Sequence, residues 1–199
     1  KRQETLLDSP QGKSLPLLGA LCLILAALEY LIPKPLPFLR LGLANLPLIL
    51  AIDALSPGAW FALVGIKLLA QALIGGTLVS WIFLFSLAGT ISSALVMYLV
   101  RKTVGARYIS LVGVSLAGAM ASNLAQLALA RIFIFGESAR YMAPALLGAG
   151  IASGLLLGFF ASRFAERSAW YRSILGKSQP AGLPSADRAA GNVPEQAPW

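Results

Sequence analysis

Histidine is absent from this chain of 199 residues, and cysteine occurs once, as Cys22. Metal sites built from Cys and His are thereby excluded, and so is an internal disulfide. Aspartate is nearly as scarce, with Asp8, Asp53 and Asp187 the whole supply. No DDxxD pair is available to hold magnesium against a diphosphate, and no glycine-rich loop ends in Lys-Ser or Lys-Thr. These gaps speak against catalysis on nucleotides or diphosphates by this chain alone. Binding, passage and anchoring are left, with no cofactor called for. Charge is thin throughout, at 12% of residues, where a soluble domain sits near a quarter.

Hydrophobic residues make up 57% of the chain instead. Five long apolar stretches, Leu15–Ile32, Ala59–Ile74, Leu78–Val100, Ile109–Phe135 and Ala143–Ala161, approach the roughly 20 residues a helix needs to cross a bilayer. A sixth, Leu43–Leu55, would reach only about 20 Å of a core about 30 Å thick. Charge decides its status. If it crosses, Lys1, Arg2, Lys13, Arg101, Lys102, Arg107, Arg163, Arg167, Arg172, Lys177 and Arg188 all fall on one side. Only Lys34, Arg40 and Arg140 fall on the other, the asymmetry that the positive-inside rule expects. The expected fold is therefore all-α: an integral membrane bundle of six transmembrane helices, multi-pass in the inner membrane, with both termini cytoplasmic. Its parts are a cytoplasmic segment over 1–14, the six-helix domain over 15–163, and a mostly disordered cytoplasmic tail over 164–199.

A net charge of +8 could suit nucleic acid, but the basic residues cluster beside apolar segments, so lipid headgroups are the expected partner. Leu15–Ile32 is longer than a usual signal-peptide core and lacks a clean cleavage site; it reads as a mature span. After Gly176 the chain turns to Pro, Ala, Gly, Ser and charge, too poor in apolar residues to bury a core.

Lipid gives no hydrophobic push for helix pairing, so small residues must let backbones approach. Gly113, Ala117, Ala121 and Ala125 recur every fourth residue, as do Gly150, Gly154, Gly158 and Ser162. Each row can bury within the chain or dock a partner. Ionisable groups in a span are costly and point to function. Glu29, Asp53 and Lys67 are the candidates, with Gln71 one turn beyond Lys67. Lys67 either pairs with Asp53 or faces a polar cavity. Asn123 and Gln126 share a helix face. They suit interhelical hydrogen bonds or a ligand, and Ser86, Thr90 and Ser93 repeat this choice with packing the favoured reading. In "EYLIPKPLPFLRLGLANLPLILAIDAL", Pro33, Pro35 and Pro37 alternate and favour a stiff extended segment, either a connector or a cap that carries Lys34 and Arg40.

The stretches "IPKPLPFLRLGLANLPLILAIDAL", "FLFSLAGTISSALVMYLVRK" and "SLVGVSLAGAMASNLAQLALA" together resemble a bacterial membrane family, heptaprenyl diphosphate synthase component I, also called the Gx transporter family. That family is similar in layout to the S components of energy-coupling-factor transporters. These bind a scarce small molecule and pass it inward with a transmembrane coupling protein and ATPase subunits. The resemblance implies Arg40, Asn45, Lys67, Ser86, Asn123 and Gln126 as polar site positions. Lys67 stands where the family tends to have arginine, and Ser122 where it has histidine. Gly19, Leu23 and Ala27 break the alanine row with which S components dock their coupling protein.

The expectation is a non-enzymatic, S-component-like subunit of the bacterial inner membrane. It would bind a small anionic molecule through Arg40, Asn45, Lys67, Gln71, Ser86, Asn123 and Gln126. The alternative is an accessory subunit to a separate prenyl synthase.

Overall fold

The computed structural model describes residues 10–32, 42–78, 80–105, 107–168 and 171, with side chains from Ser14 onward. Among them there is no strand. Six α-helices follow one another: α1 (Pro10–Leu31), α2 (Leu46–Ala51), α3 (Pro57–Ile74), α4 (Trp81–Val104), α5 (Leu111–Ala130) and α6 (Ala143–Arg167). A 3-10 turn, Leu43–Asn45, leads into α2, and a π-helical turn with a 3-10 turn joins α5 to α6 over Arg131–Tyr141. Five helices are long and apolar enough to cross a membrane. Their boundaries have local causes. Pro57 opens α3, where a missing N–H costs nothing. Ser80 and Ser110 cap α4 and α5 by accepting from the Ile82 and Gly113 amides. Gly105, at φ 84, ends α4 in a conformation that few other residues adopt.

The short sixth segment is the exception. Its α-helix has six residues, or about 9 Å, so helix alone cannot carry it across. Yet the segment does run the length of the bundle, as its contacts show in order. Gly42 N–H donates to Glu29 near the end of α1, and Ala44 accepts from Cys22 two turns back along α1. Asn45 then meets Lys67 in mid-α3, and Leu48 accepts from Trp60 near the start of α3. Asp53 finally meets Arg101, close to the end of α4. The segment is thus antiparallel to α1 and α3. Its buried residues Pro47, Leu48, Ile49, Leu50 and Ala51 explain how it can be short: it is covered by protein, so its non-helical parts need not face lipid.

Asp53 and Lys67 do not pair. Lys67 lies ten residues into α3, about 15 Å from the end beside which Asp53 sits. The carboxylate takes Arg101 instead, in a two-pronged bridge with Nε–Oδ1 at 2.8 Å, and the same guanidinium also donates to the Ile109 carbonyl. One cation therefore clasps the α2–α3 turn, the end of α4 and the α4–α5 connection.

Small residues set the tightest packing. A Cβ on Gly150, Gly154 or Gly158 would come within 2.1–3.0 Å of α5 atoms, those of Asn123, Ala119 and Val112. The α6 row is therefore buried inside the chain. It meets the Val112–Leu116–Ala119–Asn123 face of α5. The row of Gly113, Ala117, Ala121 and Ala125 is half-buried to one side of it. An apolar core of Leu18, Leu48, Trp60, Leu63, Met97, Val114 and Leu157 fills the Asp53 half of the bundle.

Tyr171, beyond α6, packs in that core at 4% exposure. Burial pushes its phenol up to about 12, the Asp53 charge adds to the rise and Arg101 opposes it. The folded chain thus keeps this proton longer than the unfolded one. The stability this contributes is complete below about pH 10 and is lost as the pH rises toward 12. Ultraviolet titration of the wild type minus Tyr171→Phe is expected to leave a tyrosinate transition near pH 12. A transition at the ordinary value would show the ring open to water.

Candidate functional site: a polar chamber around Lys67

The Glu29 half of the bundle is packed differently. The apolar core gives way to a small chamber of about 30 Å³, room for roughly two waters. Its walls come from five sources. Asn45 enters from the turn before α2, Lys67 and Gln71 from α3, Ser86 and Thr90 from α4, and Ser122, Asn123 and Gln126 from α5, with Ser153 of α6 closing the ring. Helical spacing explains the convergence. Lys67 and Gln71 are one turn apart, as are Ser86 and Thr90, and Asn123 and Gln126 share a face.

Six of the seven residues expected from the sequence line this one chamber: Asn45, Lys67, Gln71, Ser86, Asn123 and Gln126. The seventh, Arg40, lies outside the described residues, as do Lys34 and the alternating prolines. Sequence reasoning left Thr90 among packing residues and passed over Ser153. The position of Thr90 four residues after Ser86 was the available signal for the first. Nothing in the sequence marks Ser153 among the serines of α6.

Lys67 is 4% exposed. Its ammonium donates to Asn45 Oδ1 at 2.6 Å and to Thr90 Oγ1 at 3.1 Å, both neutral acceptors. These two contacts fix the ammonium at the meeting point of the turn before α2, α3 and α4. Glu29, 2% exposed, accepts from the Gly42 amide at 3.2 Å, and Gly42 is itself part of the chamber wall. Asn123 is pinned by donating to the Leu146 carbonyl at 2.6 Å. Gln126 Nε2 donates to Ser122 Oγ at 3.4 Å. Gly89 makes room for that pair, since a Cβ there would lie 2.7 Å from the amide nitrogen and 2.8 Å from the hydroxyl. Three buried wall atoms, Gln71 Oε1, Ser86 Oγ and Gln126 Oε1, have no hydrogen-bond partner. Unsatisfied buried oxygens are rare in folded proteins, and these three belong to the walls of a space large enough for water.

Chemically, this chamber offers one cation and several oriented neutral groups. No cluster of three or more metal-binding side chains occurs among the described residues. The arrangement is suited to holding and orienting a small polar group.

A family model described as heptaprenyl diphosphate synthase component I matches residues 18–164, from within α1 to within α6. The chain belongs to that family. No curated protein and no solved structure matches it. Within this component I chain the matched region takes in the whole polar chamber and the Asp53–Arg101 clasp, and it ends inside α6.

Proposed function

We propose that this chain is a non-catalytic, membrane-embedded binding subunit whose chamber holds the anionic group of a small molecule. The observation that carries the proposal is a lysine buried in the middle of a helix, in the wall of a chamber lined by polar side chains, because intramembrane charge is costly and is kept where it is used. Asn45, Lys67, Gln71, Ser86, Asn123 and Gln126 are the binding residues, and the family resemblance adds Arg40 to them. The asymmetry of basic residues supports placing the Glu29 side outside and both termini in the cytoplasm of a bacterial inner membrane.

The family's description supports a separate prenyl diphosphate synthase chain as partner, with this subunit anchoring it or holding part of its substrate at the membrane. The chamber itself favours a second context, S-component-like uptake energised by a coupling protein and ATPases. Native mass spectrometry of the full chain in gentle detergent is expected to show a retained small molecule. Bare polypeptide at the mildest activation counts against a chamber that binds. Pull-down separates the contexts, since a soluble prenyl synthase places the chain with its family's name and an ATPase pair places it in uptake.

A further inference from the structure

Where α5 turns toward α6 the bundle carries a second hollow, a groove of about 350 Å³ that shares no residue with the chamber wall. Leu124, Leu127, Ala128 and Arg131 line it at spacings of three and four, so they form one stripe along one face. Ala143 of α6 completes the apolar floor, and Glu137 and Arg140 of the connecting turn stand at the rim with Arg131. Length fixes the depth of each part. α5 has 20 residues, or about 30 Å, the thickness of a hydrocarbon core. Arg131 follows its last residue, which puts the rim at the level of lipid phosphates, and Leu124 lies about 10 Å deeper, at the level of the chains.

The surroundings say what covers the groove. Ile132, Phe133 and Tyr141 on the connecting turn are 72%, 64% and 73% exposed. Apolar and aromatic side chains placed so at the end of a spanning helix sit in the interfacial layer of a bilayer, and lipid lies against them. Charge then selects among lipids. Arg131 forms an ion pair with Glu137 at the surface. Arg140 donates to the Tyr141 hydroxyl at 2.8 Å, lies over that ring, and pairs with no carboxylate among the described residues. Two guanidiniums and one carboxylate leave the rim with an excess of one positive charge, and a guanidinium can hold a phosphate through two parallel hydrogen bonds.

We infer that this groove binds one anionic glycerophospholipid, with its phosphate at Arg131 and Arg140 and the start of its chains on Leu124, Leu127 and Ala128. The site is independent of what the chamber holds.

Native mass spectrometry of the full chain, purified with an equal mixture of phosphatidylglycerol and phosphatidylcholine of the same chains, tests the site. One phosphatidylglycerol is expected to stay bound, preferred at least about fivefold, the contribution of one basic residue near a membrane surface. Arg140→Gln should remove most of that preference. Ala128→Phe, which fills the groove from an exposed position, should release the lipid whatever its head. Equal retention of the two lipids by the wild type, or an unchanged preference in Arg140→Gln, overturns the inference. Displacement of the lipid by farnesyl diphosphate at equal concentration also overturns it, and gives the groove to a prenyl diphosphate instead.

Discussion

Replacing Lys67 with methionine is expected to weaken binding of the small molecule retained in the chamber by about a hundredfold or more while the bundle stays folded. A hydrogen-bonded, buried charge contributes roughly 2–5 kcal/mol to holding its partner, and a hundredfold is about 2.7 kcal/mol. Stability should change far less. The mutation removes a charge whose burial was itself costly, and a well-filled apolar replacement of such a group is often neutral. Against that gain, Asn45 Oδ1 and Thr90 Oγ1 lose their donor, at about 1–3 kcal/mol each if left dry, a loss that water in the chamber offsets. Lys67→Arg should recover much of the affinity, because it restores the charge even though its flat fork cannot copy both contacts. Calorimetry in nanodiscs, alongside unfolding in mixed micelles, reads the two effects separately. If Lys67→Met binds that molecule like the wild type, the lysine does not face the guest and the binding proposal falls.

Gly158→Val should do the opposite, damaging the fold wherever the ligand stands. A Cβ at this position would lie 2.6 Å from the Cα of Val112. Both sides of that contact are helix backbone, so no rotamer change relieves it and α5 and α6 must move apart. Overpacking usually costs about 1–3 kcal/mol, and a backbone-to-backbone clash belongs at or above the upper end. Separation along this seam also removes the Ser115–Gly154 hydrogen bond of 2.8 Å and tilts Asn123 out of the chamber wall. Gly148 is the control on the same helix, with nothing within 4 Å of a built Cβ. Gly148→Ala is expected to be neutral or slightly stabilising through helix propensity. Both variants would be followed by unfolding in mixed micelles. Equal midpoints would show that the seam is not closely packed.

Much of the site could be read before any coordinates, for a reason particular to membrane helices. Lys67, Gln71, Asn123 and Gln126 stand out because nearly everything around them is apolar, and a polar residue in such a run must find a partner. Asn45 and Ser86 came from the family resemblance. Thr90 was visible and assigned to packing, since a hydroxyl that returns a bond to its own helix looks the same in sequence as one that receives a lysine. Ser153 carried no mark, because its place in the wall depends on how α6 rolls against α5 along Gly150 and Gly154. The partner of Asp53 was the plainest gap. The sequence separates Asp53 from Lys67 by 14 positions and from Arg101 by 48, and nearness along the chain favoured the wrong cation.

The amino-acid sequence by itself determined the solvent this chain is built for, the five long helices, and the handful of polar residues that lipid would not tolerate. Hydropathy and capping are local, so residues within a turn or two of each other settle them. Tertiary structure alone decided that a segment with only six residues of α-helix, sheathed by its neighbours, could pass from Glu29 at one end to Arg101 at the other. It also decided that Asp53 closes one end with Arg101 while Lys67 meets Asn45 and Thr90 in a polar chamber. Those outcomes depend on the depth and rotation of each helix against the next, which close contacts at glycine fix and no single segment encodes.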